Sequence, residues 1–258
     1  EQEWKGVEGG IARSYGHCMT MGTASTMTAI AEGFGLCLTG ASSIPAPDVG
    51  HQRMSAACGR RIVDMVWEDL TPDKIINEVS TKNAVTVAMA TGCSTNAIIH
   101  LIAIARRAGI PLELEDLDVI GRSTPISANI RPSGKDYLME DFFYAGGLPA
   151  LMHELGDKLD LSAITVTGRP LCDSLKEAPN YNQDVIRPLS NPVYPEGSLA
   201  VLKGNLAPNG AVIKPAAMEP KFMRHRGPAL VADSYNDLKQ IINDPEATIT
   251  ADHVLILR

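Results

Sequence analysis

One stretch, Gly16-His17-Cys18-Met19-Thr20-Met21-Gly22-Thr23-Ala24-Ser25-Thr26-Met27, constrains the fold more than any other part of the chain. Small and hydroxyl side chains at this density leave two outcomes. Either the segment is a helix packed against a neighbour with almost no gap, or it is a helix start whose free amide N–H groups face a ligand. Cys18 stands immediately ahead of the run, where a helix dipole would stabilise a thiolate, so it has the greatest capacity for chemistry. The packing alternative needs no chemistry, since free cysteine is among the most buried residue types. Ala24, Met27, Ala31 and Phe34 then recur at helical spacing, and Gly35 is placed to end the helix.

Residues 38–47 read as a loop from their Gly, Ser and Pro content, and Asp48 as the cap of the next helix. That helix carries Met54, Ala57, Cys58, Arg61, Ile62, Met65 and Val66, with Cys58 on its apolar face and hence in the core. Thr71-Pro72-Asp73 is a helix start, with a hydroxyl cap, a proline at the first helical position and an early acid. Ser80 opens an apolar segment over 84–90, read as helix although Val85-Thr86-Val87 is a β-branched run. Thr91-Gly92-Cys93-Ser94-Thr95-Asn96 breaks the pattern, and 97–107 resumes it as a helix ending at Gly109. This second hydroxyl-rich start could hold an anion through its first-turn amides, with Ser94, Thr95 and Asn96 as additional donors. A plain N-cap by Ser94 explains the same residues. His100 reads as an ordinary helix histidine, and Glu113, Glu115, Asp116 and Asp118 as a solvated face rather than a metal cage.

Helices are predicted over 135–146 and 148–159, a short strand over 163–168 and a brief helix opened by Cys172-Asp173-Ser174. Composition then shifts near Pro179. Prolines 188, 192 and 195 and Gly197 interrupt the chain, and strands at 198–203 and 211–214 flank an Ala207-Pro208-Asn209-Gly210 turn. A strand at 229–232, a helix over 235–242 and a closing strand at His253 come next. The reading is α/β, with residues 1–187 as part of an N-terminal α/β/α domain and residues 188–258 as the start of a β-rich, barrel-like C-terminal domain.

The 258 residues carry a net charge of −7 without a basic block or interleaved basic and aromatic residues, which argues against nucleic acid as partner. No apolar run approaches the roughly 20 residues that cross a bilayer. The five cysteines, Cys18, Cys37, Cys58, Cys93 and Cys172, are odd in number and never spaced C-x-x-C, so the chain encodes neither a disulfide framework nor a zinc knuckle. A reducing compartment follows, the cytoplasm or an organelle. No G-x-G-x-x-G follows a strand, which weakens dinucleotide binding. The N-terminal Glu1-Gln2-Glu3-Trp4-Lys5 is not a secretory signal, and the apolar run up to Leu257-Arg258 stops without a turn, so an internal segment of a longer chain is expected.

Gly16 to Met27, followed by Ala31-Glu32 and Gly35-Leu36, resembles the central cysteine motif of the iron–sulfur dehydratases. That family includes dihydroxy-acid dehydratase, phosphogluconate dehydratase and sugar-acid dehydratases. Three further stretches resemble the same family in the same order. They are Gly92-Cys93-Ser94-Thr95-Asn96-Ala97 with His100-Leu101, Lys203-Gly204-Asn205-Leu206-Ala207-Pro208 with Gly210, and Gly227-Pro228-Ala229-Leu230-Val231 with Asp233. The Met-Gly-Thr-Ala-Ser-Thr-Met wording is closer to the sugar-acid members.

The resemblance implies an active site between an N-terminal α/β domain and a C-terminal β-barrel. It also implies dehydration of a small hydroxy acid to a 2-keto acid, with an iron–sulfur cluster, two-iron rather than four-iron, beside Mg²⁺. Subunits would pair as homodimers or homotetramers. By motif position Cys18 is one of three cluster cysteines, and His17 and Thr20 are neighbours whose donors could tune the cluster. The remaining cysteines, the magnesium ligands and the serine base belong to family segments that no stretch of this chain matches. Cys93 stands where relatives commonly have a second glycine and reads as a variant, not a ligand. Cluster and Mg²⁺ sites are both incomplete in this segment, which by itself should be inactive. The competing expectation is a non-catalytic remnant that keeps the fold as an assembly partner.

Overall fold

The structure, a computed structural model, describes residues 2–11 and 15–258. They divide into two compact units, Glu1–Ala217 and Met218–Arg258. In the first, helix α1 spans Gln2–Ile11, α2 Thr23–Gly33, α3 Val49–Trp67, α4 Pro72–Ile75, α5 Glu78–Thr91 and α6 Asn96–Arg107. Helices α7 Leu114–Ser123, α8 Met139–Tyr144, α9 Gly147–Leu155 and α10 Leu171–Leu175 come after them, then strands β1 Ala200–Leu202 and β2 Ala211–Ile213. The strands pair antiparallel, Val201 opposite Val212, across the expected turn.

Helix α5 is the centre of this unit. From Asn83 to Thr91 every residue is buried, so the segment has no polar face and no amphipathic period. Val87 and Ala90 join one apolar cluster with Leu148, Leu151 and Phe142, while Ala84, Val85, Ala88 and Met89 join a second with Ile30, Phe34 and Leu101. The helix starts at Glu78 behind its cap Asn77, not at Ser80. The Asn77 side chain accepts from Ser80 N at 3.0 Å and Ser80 Oγ accepts from Asn77 N at 2.9 Å, a reciprocal capping box. Against α5 lies α2, and the packing reading of its small residues holds. Ser25 and Ala29 are buried, and a Cβ added at Gly33 would lie 3.1 Å from Val87 Cβ and 3.2 Å from Ala84 Cα. Any larger residue at Gly33 would therefore push the two helices apart.

The Asp48 cap forms as expected, accepting from Gly50 N at 2.6 Å, and α4 starts at Pro72 behind Thr71 as expected, but the Thr71 hydroxyl makes no capping hydrogen bond. Cys58 is a correction, because it is exposed. The inward face of α3 is Met54, Ala57, Arg61 and Met65, one position off Cys58, and Ile62, Val63, Val66 and Trp67 are all exposed, Trp67 by 85%. A helix that is apolar on several faces gives periodicity no means of choosing the buried one. The helix predicted over 135–146 begins only at Met139. Residues before it turn, Tyr137 bridges Ile130, and the Asp141 carboxylate accepts from Leu138 N at 2.8 Å, fixing the start there. The helix predicted over 148–159 ends at Leu155 in a 3₁₀ turn, Gly156–Lys158. The strand predicted over 163–168 reduces to one bridge, Ile164 with Pro170, because the Thr165 hydroxyl turns the chain by accepting from Thr167 N.

The sequence pattern alone assigns nothing to residues 125–130, yet Ile126, Ala128 and Ile130 are fully buried in an extended segment. Ile126 N donates to Tyr194 O at 3.0 Å, Arg187 N to Ser127 O at 2.7 Å and Asn129 N to Val185 O at 2.8 Å. The alternation Ile-Ser-Ala-Asn-Ile is a strand signal too short to stand out from the loops around it.

In the second unit, β3 Ala229–Ala232 and β4 Val254–Leu257 pair in parallel around α11 Tyr235–Asn243, which is capped by Ser234. The sheets among the described residues are thus two separate two-stranded ladders, and no barrel is closed within them. Among the same residues no helix is long and apolar enough to cross a membrane.

Glu32, 3% exposed near the end of α2, receives Gly40 N at 2.6 Å on one oxygen and Ser42 N at 2.9 Å on the other. Burial raises its carboxyl above the usual range, and hydrogen bonds from Ser42 and Gly40 oppose that shift. With the folded-state value raised, the folded protein holds this proton more tightly. Its contribution is greatest below the unfolded value and is lost as pH rises through the folded one. Glu32→Gln places an NH₂ against an amide donor and should cost about 1–3 kcal/mol at acid pH. The gap to wild type should narrow toward neutral pH in urea unfolding curves, and a widening gap would contradict a raised carboxyl.

Candidate functional site

Cys18 is exposed and lies in a tethered loop rather than on a helix start. Helix α2 begins at Thr23 behind Gly22, so its dipole does not act on Cys18 through the first turn. The loop is pinned on both sides. Met139 N donates to Met19 O at 2.8 Å, Met21 N donates to Arg131 O at 2.9 Å, and Gly22 N closes a turn on Thr20 O at 2.8 Å. His17 is exposed, and its Nδ1 lies 2.7 Å from the Cys18 carbonyl, which can only accept, so Nδ1 carries the proton in that bond. The Thr20 carbonyl also accepts from Ser25 Oγ at 3.3 Å.

The two hydroxyl-rich helix starts, far apart in sequence, meet. Thr23 Oγ1 and Ser94 Oγ are 3.1 Å apart, Asn96 Nδ2 donates to Thr23 Oγ1 at 2.7 Å, and Ser94 N donates to Thr26 Oγ1 at 3.0 Å. Asn96 N in turn donates to Ser94 Oγ at 3.3 Å. These bonds staple α2 to α6 and use the donors of Ser94 and Asn96 in doing so. Thr95 caps α6 without a side-chain bond. His100 is exposed one turn further along.

Behind this junction Gly92 ends α5 in the left-handed conformation, and its carbonyl receives Lys214 Nζ at 2.7 Å. Burial lowers the Lys214 ammonium, the neighbouring Cys93 acting in the opposite sense. Cys93 is fully buried, its Sγ 3.0 Å from Ser198 Oγ, and burial pushes its thiol up to about 11. Cys37 is likewise raised to about 11, by burial first and then by Glu32. A thiol with a value of about 11 is only about one part in a thousand thiolate at pH 8. Exposed Cys18 and Cys58 should therefore be alkylated by iodoacetamide at pH 8 at least about 100-fold faster than Cys37 and Cys93. Peptide mapping by mass spectrometry reads this directly, and early labelling of Cys93 would refute it.

Among the described residues no group of three or more His, Cys, Asp or Glu side chains could hold a metal ion. For an iron–sulfur cluster the chain offers one accessible thiol in a loop held by backbone bonds, which fits a single ligand and not a complete set. Lys214, Ser133 and Arg187 escape sequence reasoning. The signals that could point to them are a lysine directly after β2 and a Ser-Gly-Lys turn after the alternating segment at 126–130.

A family model described as "Dihydroxy-acid/6-phosphogluconate dehydratase N-terminal" matches residues 1–174, and its C-terminal counterpart matches residues 184–258. A 6-deoxy-6-sulfo-D-gluconate dehydratase from Pseudomonas putida is 50% identical over 99% of this chain and 44% of its own length. An L-arabinonate dehydratase from Rhizobium leguminosarum bv. trifolii is 44% identical over 100% of the chain and 45% of its own length. A dihydroxy-acid dehydratase from Ignicoccus hospitalis is 41% identical over 100% of the chain and 46% of its own length. The chain thus spans less than half the length of these relatives.

Proposed function

The chain belongs to the dihydroxy-acid/6-phosphogluconate dehydratase family, and from that premise we propose that it contributes the central part of an enzyme dehydrating a sugar acid or 2,3-dihydroxy acid to a 2-keto acid. The single observation supporting this reading is the accessible Cys18 thiol, presented by a loop clamped between Met139 and Arg131 just ahead of α2. Its place in the family motif supports reading it as one iron–sulfur ligand. An iron–sulfur cluster together with Mg²⁺, when bound, would supply Lewis acidity for the departing hydroxyl.

In the reaction the substrate loses the proton on the carbon beside the carboxylate and hydroxide from the next carbon, together one water. The enol left behind becomes its isomer, the 2-keto acid, when the carbon that lost hydroxide gains a proton and the enol oxygen gives one up. The contribution of this chain is positional. Backbone bonds at Met19 and Met21 fix the Cys18 loop, and the His17 N–H holds the Cys18 carbonyl. The α2–α6 staple of Thr23, Ser94 and Asn96 keeps the floor behind the loop rigid. No base is assigned among these residues.

The relatives' names define the assay: the protein in its full open reading frame, purified anaerobically, with L-arabinonate, 6-deoxy-6-sulfo-D-gluconate and a 2,3-dihydroxy acid as substrates. Release of 2-keto acid from at least one is expected, and none from any would overturn the proposal. Residues 1–258 alone, reconstituted with iron and sulfide, should give no turnover.

A further inference from the structure

A cavity of about 380 Å³ lies beside the extended segment at 126–130, lined by Asn129, Ser133, Lys135, Asp136, Arg187 and Tyr194 among others, a volume suited to a small ligand. Two of its polar atoms are buried without a hydrogen-bond partner, Ser133 Oγ and Arg187 Nε. Ser133 is 9% exposed. A buried donor left unmade costs about 1–3 kcal/mol, and more when charged, so two such groups on side chains that line one cavity call for an acceptor.

The chemistry of that acceptor follows from the lining. Arg187 Nε and Lys135 can only donate, and the Ser133 hydroxyl can donate as well. Arg187 pairs only loosely with Asp184, its terminal nitrogen 3.9 Å from Oδ1 and beyond hydrogen-bond reach of a carboxylate that is 72% exposed, and its Nε has no partner. Asn129 already commits one donor of its Nδ2 to Asp184 O at 2.9 Å. Asp136, the acid in the lining, is exposed beside Lys135 in the chain, whereas the unsatisfied buried groups are donors. A cation is therefore disfavoured and an oxyanion favoured.

The site is also preformed. Gly134 N donates to Ile130 O at 2.7 Å and Arg131 N to Tyr137 O at 3.0 Å, which fixes the turn carrying Ser133. The same turn is joined to the Cys18 loop through the Arg131 carbonyl and Met21 N.

We infer that this cavity is an oxyanion site that takes the carboxylate, sulfonate or phosphate end of a small organic acid through Ser133, Lys135 and Arg187. The inference stands without the dehydratase proposal. Only identifying the acid with that enzyme's substrate would depend on it.

The test is calorimetric titration of the full-length protein with sodium sulfate, inorganic phosphate and L-arabinonate, each at ionic strength balanced with chloride. Ser133→Ala and Arg187→Gln should each weaken binding by about tenfold or more, with Arg187→Lys intermediate. Arg106→Gln, which removes the same charge from an exposed ion pair on α6, should leave binding unchanged. If Arg187→Gln fails to fold, Ser133→Ala and Lys135→Ala carry the test. No binding of any of the three anions, or equal weakening by Arg106→Gln, would overturn the inference. Variant-sensitive binding in a protein with no dehydration would instead sink the proposed function alone. Tight arabinonate with weak sulfate and phosphate would identify the ligand as a carboxylate.

Discussion

With Cys18 replaced by alanine, the full-length protein should lose its bound iron and visible cluster absorbance, and dehydration should fall by more than about 100-fold, beyond what loss of an outer hydrogen-bonding partner typically costs. Folding should survive, since Cys18 is exposed and the bonds that hold its loop are made by backbone atoms of Met19 and Met21. An exposed substitution of this kind typically moves stability by no more than about 0.5 kcal/mol. The control that gives the experiment its force is Cys93→Ala. Cys93 is fully buried against Ser198, and its thiol, raised to about 11, is poorly suited to act as a thiolate ligand. That variant should lose about 1 kcal/mol of stability and keep its iron. Cys58→Ala, at an exposed site on α3, should lose neither. Iron retained in Cys18→Ala, or lost in Cys93→Ala, would overturn the proposal that Cys18 is a cluster ligand.

Local chemistry is legible in the sequence wherever a side chain acts on its own backbone. The Asp48 cap, the Thr71-Pro72 start and the Gly109 end of α6 all follow from such short-range effects. The β1–β2 hairpin likewise follows from its Pro-Asn-Gly turn. The illegible features depend on which partner covers a face. Cys58 and Met65 both sit on an apolar-looking helix, and only packing decides that Met65 is buried and Cys58 is not. The Ser94–Thr23 junction joins residues 71 positions apart, so two starts that read separately become one staple. The oxyanion cavity is illegible for a similar reason. Its serine and arginine are 54 positions apart in sequence, and nothing in either neighbourhood marks them as a pair.

Gly92→Ala should be among the most destabilising single-methyl additions in the chain, and Gly109→Ala supplies its internal reference. Both glycines follow a helix in nearly the same left-handed geometry, φ +77° for Gly92 and +75° for Gly109. Forcing alanine into that region costs about 1–2 kcal/mol at either site. The surroundings differ. A Cβ at Gly109 meets nothing within 4 Å, whereas at Gly92 it would lie 2.5 Å from Ser133 Oγ and 2.9 Å from Ser133 Cβ. Ser133 cannot swing aside cheaply, because it is buried in a turn held by the Gly134 and Arg131 amides. Overpacking of this kind adds about 1–3 kcal/mol. Urea unfolding should thus show a loss of about 1–2 kcal/mol for Gly109→Ala and about 2–5 kcal/mol for Gly92→Ala. Equal losses would refute the contact. In a Ser133→Gly background the nearest remaining atom is Ile126 Cγ2 at 3.8 Å, so the excess cost of Gly92→Ala should largely vanish, a coupling of about 1–3 kcal/mol. Because the displaced group is the hydroxyl assigned to the oxyanion cavity, Gly92→Ala should also weaken sulfate binding while Gly109→Ala leaves it intact. A buried glycine would then set the position of a binding residue 41 places further along the chain.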